Sequence, residues 1–168
     1  YGAAHPHCGR YRRRGHRYET MRDKLLVSAC LLGLCCKYDG GSNRLPDDKL
    51  HKLCESYELI PVCPEAYGGL TTPRAPSERR DGGVFSSEGR DVTVQFKKGA
   101  EAALYLAETL GIRKALLKEN SPSCGSGTIY DGSFSGKLIP GDGVTAELLK
   151  AHGIEVSGES SMRARTML

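Results

Sequence analysis

KLLVSAC, residues 24–30, is the stretch that decides the fold. Its apolar run, residues 24–29, is interrupted too soon by Gly33, Gly40 and Gly41 to be a helix, so it reads as a short buried strand ending against Cys30. The pattern returns twice. ELIPV at 58–62 ends at Cys63, with Pro61 restricting it to an edge position or a very short strand. RKALLK at 113–118 runs into ENSPSCG, which places Cys124 a short loop beyond a third strand.

Helical patterns separate these runs. Residues 47–56 follow a proline and put Leu50, Leu53 and Cys54 on one face. Residues 94–110 carry Phe96, Ala100, Ala103, Leu104, Ala107 and Leu110 at helical spacing, with Gly111 placed to end the helix. Residues 146–151 read as a last helix before Gly153, and 154–156 as a last strand, with fraying expected from Ser157. Residues 129–139 resemble a hairpin around Asp131-Gly132 and Gly136. Residues 64–91 are rich in Gly, Pro, Arg and acids and show no period, the signature of a functional or mobile loop. Strand–helix alternation predicts an α/β fold: a small, mostly parallel sheet flanked by helices, Rossmann-like and three-layered, with a short hairpin insertion. Right-handed crossovers put the strands' C-terminal ends on one edge, where open α/β sheets bind ligands. Cys30, Cys63 and Cys124, remote in sequence, should therefore meet there.

The chain has 168 residues, enough for one domain with its own core. Its 39% hydrophobic and 26% charged residues exclude a disordered, collagenous or coiled-coil chain, and no apolar run is long enough to span a membrane. The net charge of +4 comes from residues 1–20, with five arginines and one acid, while the 19 basic and 19 acidic residues that follow cancel. Residues 1–20 read as a disordered basic tail, or as an extension upstream of a true start at Met21. Only if that tail is native would a nucleic-acid partner be expected. The reading is thus of a single catalytic domain over 21–158, with a frayed tail over 159–168. Seven cysteines, an odd count without a secretory signal, point to thiols or metal ligands in a cytoplasmic protein rather than to disulfides.

Three thiols on one edge suit a metal group. Structural zinc prefers four N/S ligands, often in close pairs, and no CxxC occurs. A [4Fe–4S] cluster held by only three cysteines keeps one iron open, as a catalytic metal requires. Cys35 and Cys36 are further candidates for a fourth ligand, since Cys30 and Cys35 have a ferredoxin-like gap. Cysteine is also a common small core residue, which is the reading for Cys54 on its apolar face and Cys8 in the tail. Glu65, two residues past Cys63, is placed to exchange protons or is merely a solvated loop acid. Ser121 and Ser123 flank Pro122 and either touch substrate or stabilise a turn. Arg74, Arg79 and Arg80 offer anion contacts, with solvated surface charge the account for at least two of them. Tyr38 and Asp39 line the same edge or make a turn.

SACLLGLCCKYDGG (28–41), PVCPEAYGGLTTPRAPSE (61–78), KENSPSCGSGTIYDGSFSG (118–136) and GDGVTAELLKAHGIEV (141–156) together resemble the DUF523 family, whose characterised members are [4Fe–4S]-dependent thiouracil desulfurases. The resemblance covers about Met21 to Gly158. It implies that Cys30, Cys63 and Cys124 bind the cluster as its metal ligands, and that Glu65 and Ser121 are catalytic. The implied reaction is a hydrolase-like, non-redox C–S cleavage. Sulfur of a thiolated nucleobase such as 4-thiouracil binds the open iron, water or a hydroxyl oriented by Ser121 adds at the ring carbon, and Glu65 shuttles the proton. Two alternatives stand beside it. One is a related cluster enzyme acting on thiolated nucleosides or tRNA. The other is a non-enzymatic binding module stabilised by zinc or thiols.

Overall fold

The computed structural model describes residues 22–163, so residues 1–20 and the far end of the C-terminal tail lie outside the described residues. β1 (Lys24–Ser28), β2 (Glu58–Val62), β5 (Lys114–Leu117) and β8 (Glu155–Gly158) form a parallel sheet in the order β2-β1-β5-β8. β3 (Ser77–Arg80) pairs antiparallel with β4 (Gly83–Ser86), and β6 (Thr128–Tyr130) pairs antiparallel with β7 (Leu138–Pro140). The helices are α1 (Asp47–Ser56), α2 (Pro64–Tyr67), α3 (Thr93–Thr109) and α4 (Val144–Ala151).

Alternation along the central strands builds the three layers. Leu25 and Val27 of β1, with Leu116 of β5, pack against Leu53 and Leu50 of α1 on one face. Leu26, Ala115 and Leu117 point the other way, into a cluster with Ala103 and Ala107 of α3 and Ala146 and Leu149 of α4. Small residues on α3 let that helix lie close to the sheet, and each fully buried leucine of the cluster contributes about 1.5–3 kcal/mol before entropy is counted. Among the described residues β2 pairs only with β1, so Pro61 sits on an edge strand as its missing N–H requires.

The chain leaves β1 for β2 through α1 on one face, then returns past β1 to β5 through α3 on the other. β1 is therefore the point where the strand order reverses, and a crevice opens beyond the C-terminal ends of its neighbours.

Two expectations change. Residues 64–91 are not an aperiodic loop: they hold α2 and the β3–β4 hairpin, turned by Asp81 and Gly82, both at positive φ. An Asp-Gly pair between strand-forming residues is a recognised hairpin signal, here masked by the charges of Glu78, Arg79 and Arg80. The chain also does not fray from Ser157 of β8, which pairs with Leu116 of β5, nor from residue 159, where a 3-10 turn (Glu159–Arg163) begins. The Glu159 carboxylate anchors this segment by pairing with Lys118 and accepting the Glu119 N–H at 2.7 Å. No helix among the described residues is long and apolar enough to cross a membrane.

Candidate functional site

A cavity of about 580 Å³ opens beyond the sheet edge, and Cys30, Cys63 and Cys124 all line it. Each arrives by a different route. Cys30 sits on the 3-10 turn (Ala29–Leu32) that follows β1, its carbonyl accepting the Asn43 N–H at 3.0 Å. Cys63 follows β2 directly, level with the step beyond Ser28, and precedes Pro64 at the start of α2. Cys124 lies seven residues after β5, in a loop whose Gly125 N–H returns to the Ser121 carbonyl at 2.8 Å.

The thiols feel one another and the dry edge. Burial pushes the Cys124 thiol up to about 12, with Ser28 opposing and the Glu65, Cys30 and Cys63 charges reinforcing. Burial also raises Cys30, against the pull of its Asn43 hydrogen bond and reinforced by Cys63. Cys36 joins the cavity as a fourth thiol, pushed up to about 12 by burial and by Cys63, whose Sγ lies 3.9 Å from the Cys36 carbonyl. Cys35, a candidate fourth ligand by its spacing from Cys30, is instead exposed and outside the cavity lining, and Cys54 lies on α1 outside it, as its apolar helix face suggests.

Glu65, in the first turn of α2, lines the cavity and is held by Arg74. Arg74 Nη2 and Nε both donate to Glu65 Oε2, at 2.5 and 2.9 Å, so Oε1 is left to face other partners. The guanidinium also donates to the Thr71 carbonyl, Thr72 Oγ1 and the Cys36 carbonyl. With side chains only 10% and 18% exposed, Arg74 and Glu65 form an ion pair that water screens poorly. α2 itself is seated by two glycines. A Cβ on Gly99 of α3 would stand 1.8 Å from the Pro64 carbonyl oxygen, and one on Gly68 would stand 2.0 Å from that of Gln95.

Ser121 Oγ accepts two backbone N–H groups, from Ser123 and Cys124, both at 3.1 Å. Both its acceptor positions are then filled, and the hydroxyl can only donate. Ser123 is fully buried against Thr145 Oγ1 and makes no part of the lining. Asp39 serves its turn, bonding Lys37 and the Gly41 N–H, whereas Tyr38 does line the cavity. Arg79 bonds the Asp142 carbonyl and Glu147, Arg80 lies over the Phe85 ring, and neither lines the cavity.

Arg74, an anion contact or solvated surface charge by sequence, instead holds Glu65. Glu78, Asn120, Tyr130 and Phe134 also line the cavity, and no motif in the sequence marks them. Pairing of an acid and a base nine residues apart in an irregular segment leaves no periodic trace.

Three cysteine thiols around one cavity are the donor chemistry an iron–sulfur cluster takes. Among the described residues, no three His, Cys, Asp or Glu side chains converge to hold a single metal. Three thiols spread around one cavity meet the different demand of a cubane, in which each cysteine binds its own iron.

A family described as 2-thiouracil desulfurase matches residues 25–161. The uncharacterized protein YbbK of Bacillus subtilis (strain 168) is 41% identical over 148 residues, spanning 82% of this chain and 97% of YbbK. A solved structure described as the [4Fe–4S]-dependent thiouracil desulfidase TudS is 48% identical with a TM-score of 0.81, over 84% of this chain and 94% of that one.

Proposed function

This chain belongs to the 2-thiouracil desulfurase family, and from that premise we propose that it is a [4Fe–4S]-dependent desulfurase that converts the thiocarbonyl of a free pyrimidine base, such as 4-thiouracil, to a carbonyl. The observation that carries the reading is the meeting of Cys30, Cys63, Cys124, Glu65 and Ser121 around one cavity at the strand-order reversal. Cys30, Cys63 and Cys124 would hold the cluster, whose remaining iron would supply a Lewis acid for the substrate sulfur.

The chain's own groups do the rest. Glu65 Oε1 takes a proton from the attacking water, while Arg74 fixes the carboxylate through Oε2. Ser121, with both lone pairs committed to the backbone, donates its hydrogen to an acceptor on the pyrimidine rather than serving as base or nucleophile. Water contributes the new oxygen and sulfur departs as sulfide, so no electrons are exchanged. The half-enclosed setting, with Val62, Pro64, Pro76 and Pro122 in the lining, limits the bulk water around these groups.

The test is turnover of 4-thiouracil by the anaerobically reconstituted protein in oxygen-18 water. Equal amounts of labelled uracil and sulfide support the reading. A loaded cluster with no uracil formed, or uracil without the label, would overturn it.

A further inference from the structure

We propose that Phe134 supplies the stacking face that selects a flat heterocycle, held over the cavity by the buried carboxylate of Glu78. This rests on the desulfurase reading, in which the substrate is a planar ring.

Phe134 lies at the tip of the β6–β7 hairpin, lines the cavity with Tyr38 and Tyr130, and is 37% exposed. Its φ is +57°, a left-handed conformation that a bulky residue seldom adopts and that Gly or Asn would take with less strain. Folding alone gives no reason to prefer an aromatic ring there. Strained residues of this kind persist where surrounding structure over-determines them, commonly at binding sites.

The surrounding structure is present. Glu78 of β3 is 8% exposed, and its Oε2 accepts both the Gly132 N–H at 2.9 Å and the Phe134 N–H at 3.0 Å. Gly132 is pressed onto the same strand, for a Cβ there would stand 2.5 Å from Arg80 Cβ and 2.8 Å from the Arg79 carbonyl oxygen. Asp131 closes the turn by accepting the Ser133 N–H at 3.0 Å. A carboxylate on one hairpin thus fixes the tip of another, and the tip carries an aromatic ring into the cavity wall.

The other two rings are less suited. Tyr38 has the Lys37 ammonium 5.2 Å from its ring centre, and Tyr130 is fixed within β6. Among the described residues no cation is placed over Phe134. Every pyrimidine presents a π-face, and stacking on an aromatic side chain adds affinity without demanding a particular substituent. Phe134 would therefore set KM and leave the choice of reacting carbon to Glu65 and Ser121.

The experiment compares wild type with Phe134→Gly, Phe134→Leu and Phe134→Tyr, all reconstituted, in steady-state turnover of 4-thiouracil. KM should rise on the order of tenfold in the Gly and Leu variants with kcat within about twofold, and return toward wild type in the Tyr variant. Phe134→Gly should not lower the unfolding midpoint, because it relieves the left-handed φ, a result that a merely structural role would not give. The chain contains no tryptophan, so Phe134→Trp adds a single indole whose emission uracil should quench saturably, with or without turnover. Unchanged KM in both the Gly and Leu variants, or an indole indifferent to uracil, overturns the proposal. If cluster-loaded wild type fails to consume 4-thiouracil, the desulfurase reading falls by itself, and the indole titration still decides whether Phe134 stacks a heterocycle.

Discussion

Replacing Arg74 with Ala removes the group that holds Glu65, and the cost can be worked from the ion pair's surroundings. Two charge-assisted bonds converge on Glu65 Oε2, and the side chains are 10% and 18% exposed. Solvent-exposed pairs are worth roughly 0–1 kcal/mol, whereas breaking a fully buried pair costs about 3–5 kcal/mol. This pair lies nearer the buried limit, so Arg74→Ala should lose about 3 kcal/mol, including bonds to Thr71, Thr72 and Cys36 that water only partly replaces. For a domain of this size that lowers Tm by roughly 6–12 °C. Glu65→Gln should cost less, because Arg74 keeps its carbonyl and hydroxyl partners. The assay is urea unfolding of the cluster-free wild type, both single variants and the double variant, which keeps the cofactor's contribution out of the comparison. The double variant should lose about 2 kcal/mol less than the two single losses combined. Additivity within about 0.5 kcal/mol would refute the idea that Arg74 and Glu65 act as one built unit.

Other outcomes follow from the same structure. Cys30→Ala, Cys63→Ala and Cys124→Ala should each lose or cripple cluster loading, while Cys54→Ala on α1 keeps it; equal iron content in all four would remove the ligand assignment. Gly99→Ala forces a Cβ toward the Pro64 carbonyl oxygen and should cost roughly 1–3 kcal/mol by overpacking, with kcat falling because α2 carries Glu65; a variant as stable and active as wild type contradicts that packing. Burial raises Cys124 from 9.0 to about 12, so the unfolded chain releases this proton first and cluster-free stability should decline as pH rises from 9 toward 12. Urea titrations across that range should show a shallower decline for Cys124→Ser; parallel curves would show that Cys124 contributes nothing to it.

The sheet was legible because each buried strand is a brief apolar run broken by Gly or Pro, and because Pro61 marked its own strand as an edge. Convergence of Cys30, Cys63 and Cys124 was legible too, since parallel strands must end on one edge. The hairpin within 64–91 was obscured because its outward residues are charged while Glu78 turns inward for a purpose that only the distant β6–β7 tip reveals. Glu159 was read as a fraying end because its partners, Lys118 and the Glu119 N–H, lie some forty residues back. Ser121 was placed by its motif, but its restriction to donation depends on two backbone hydrogens set by the loop's fold.

The most direct test is the iron and acid-labile sulfide bound per chain after anaerobic reconstitution, in wild type and in a variant with Cys30, Cys63 and Cys124 all changed to Ala. The account predicts about four of each in wild type and neither in the variant. A wild type that binds no iron, or a triple variant that loads as fully as wild type, would contradict it.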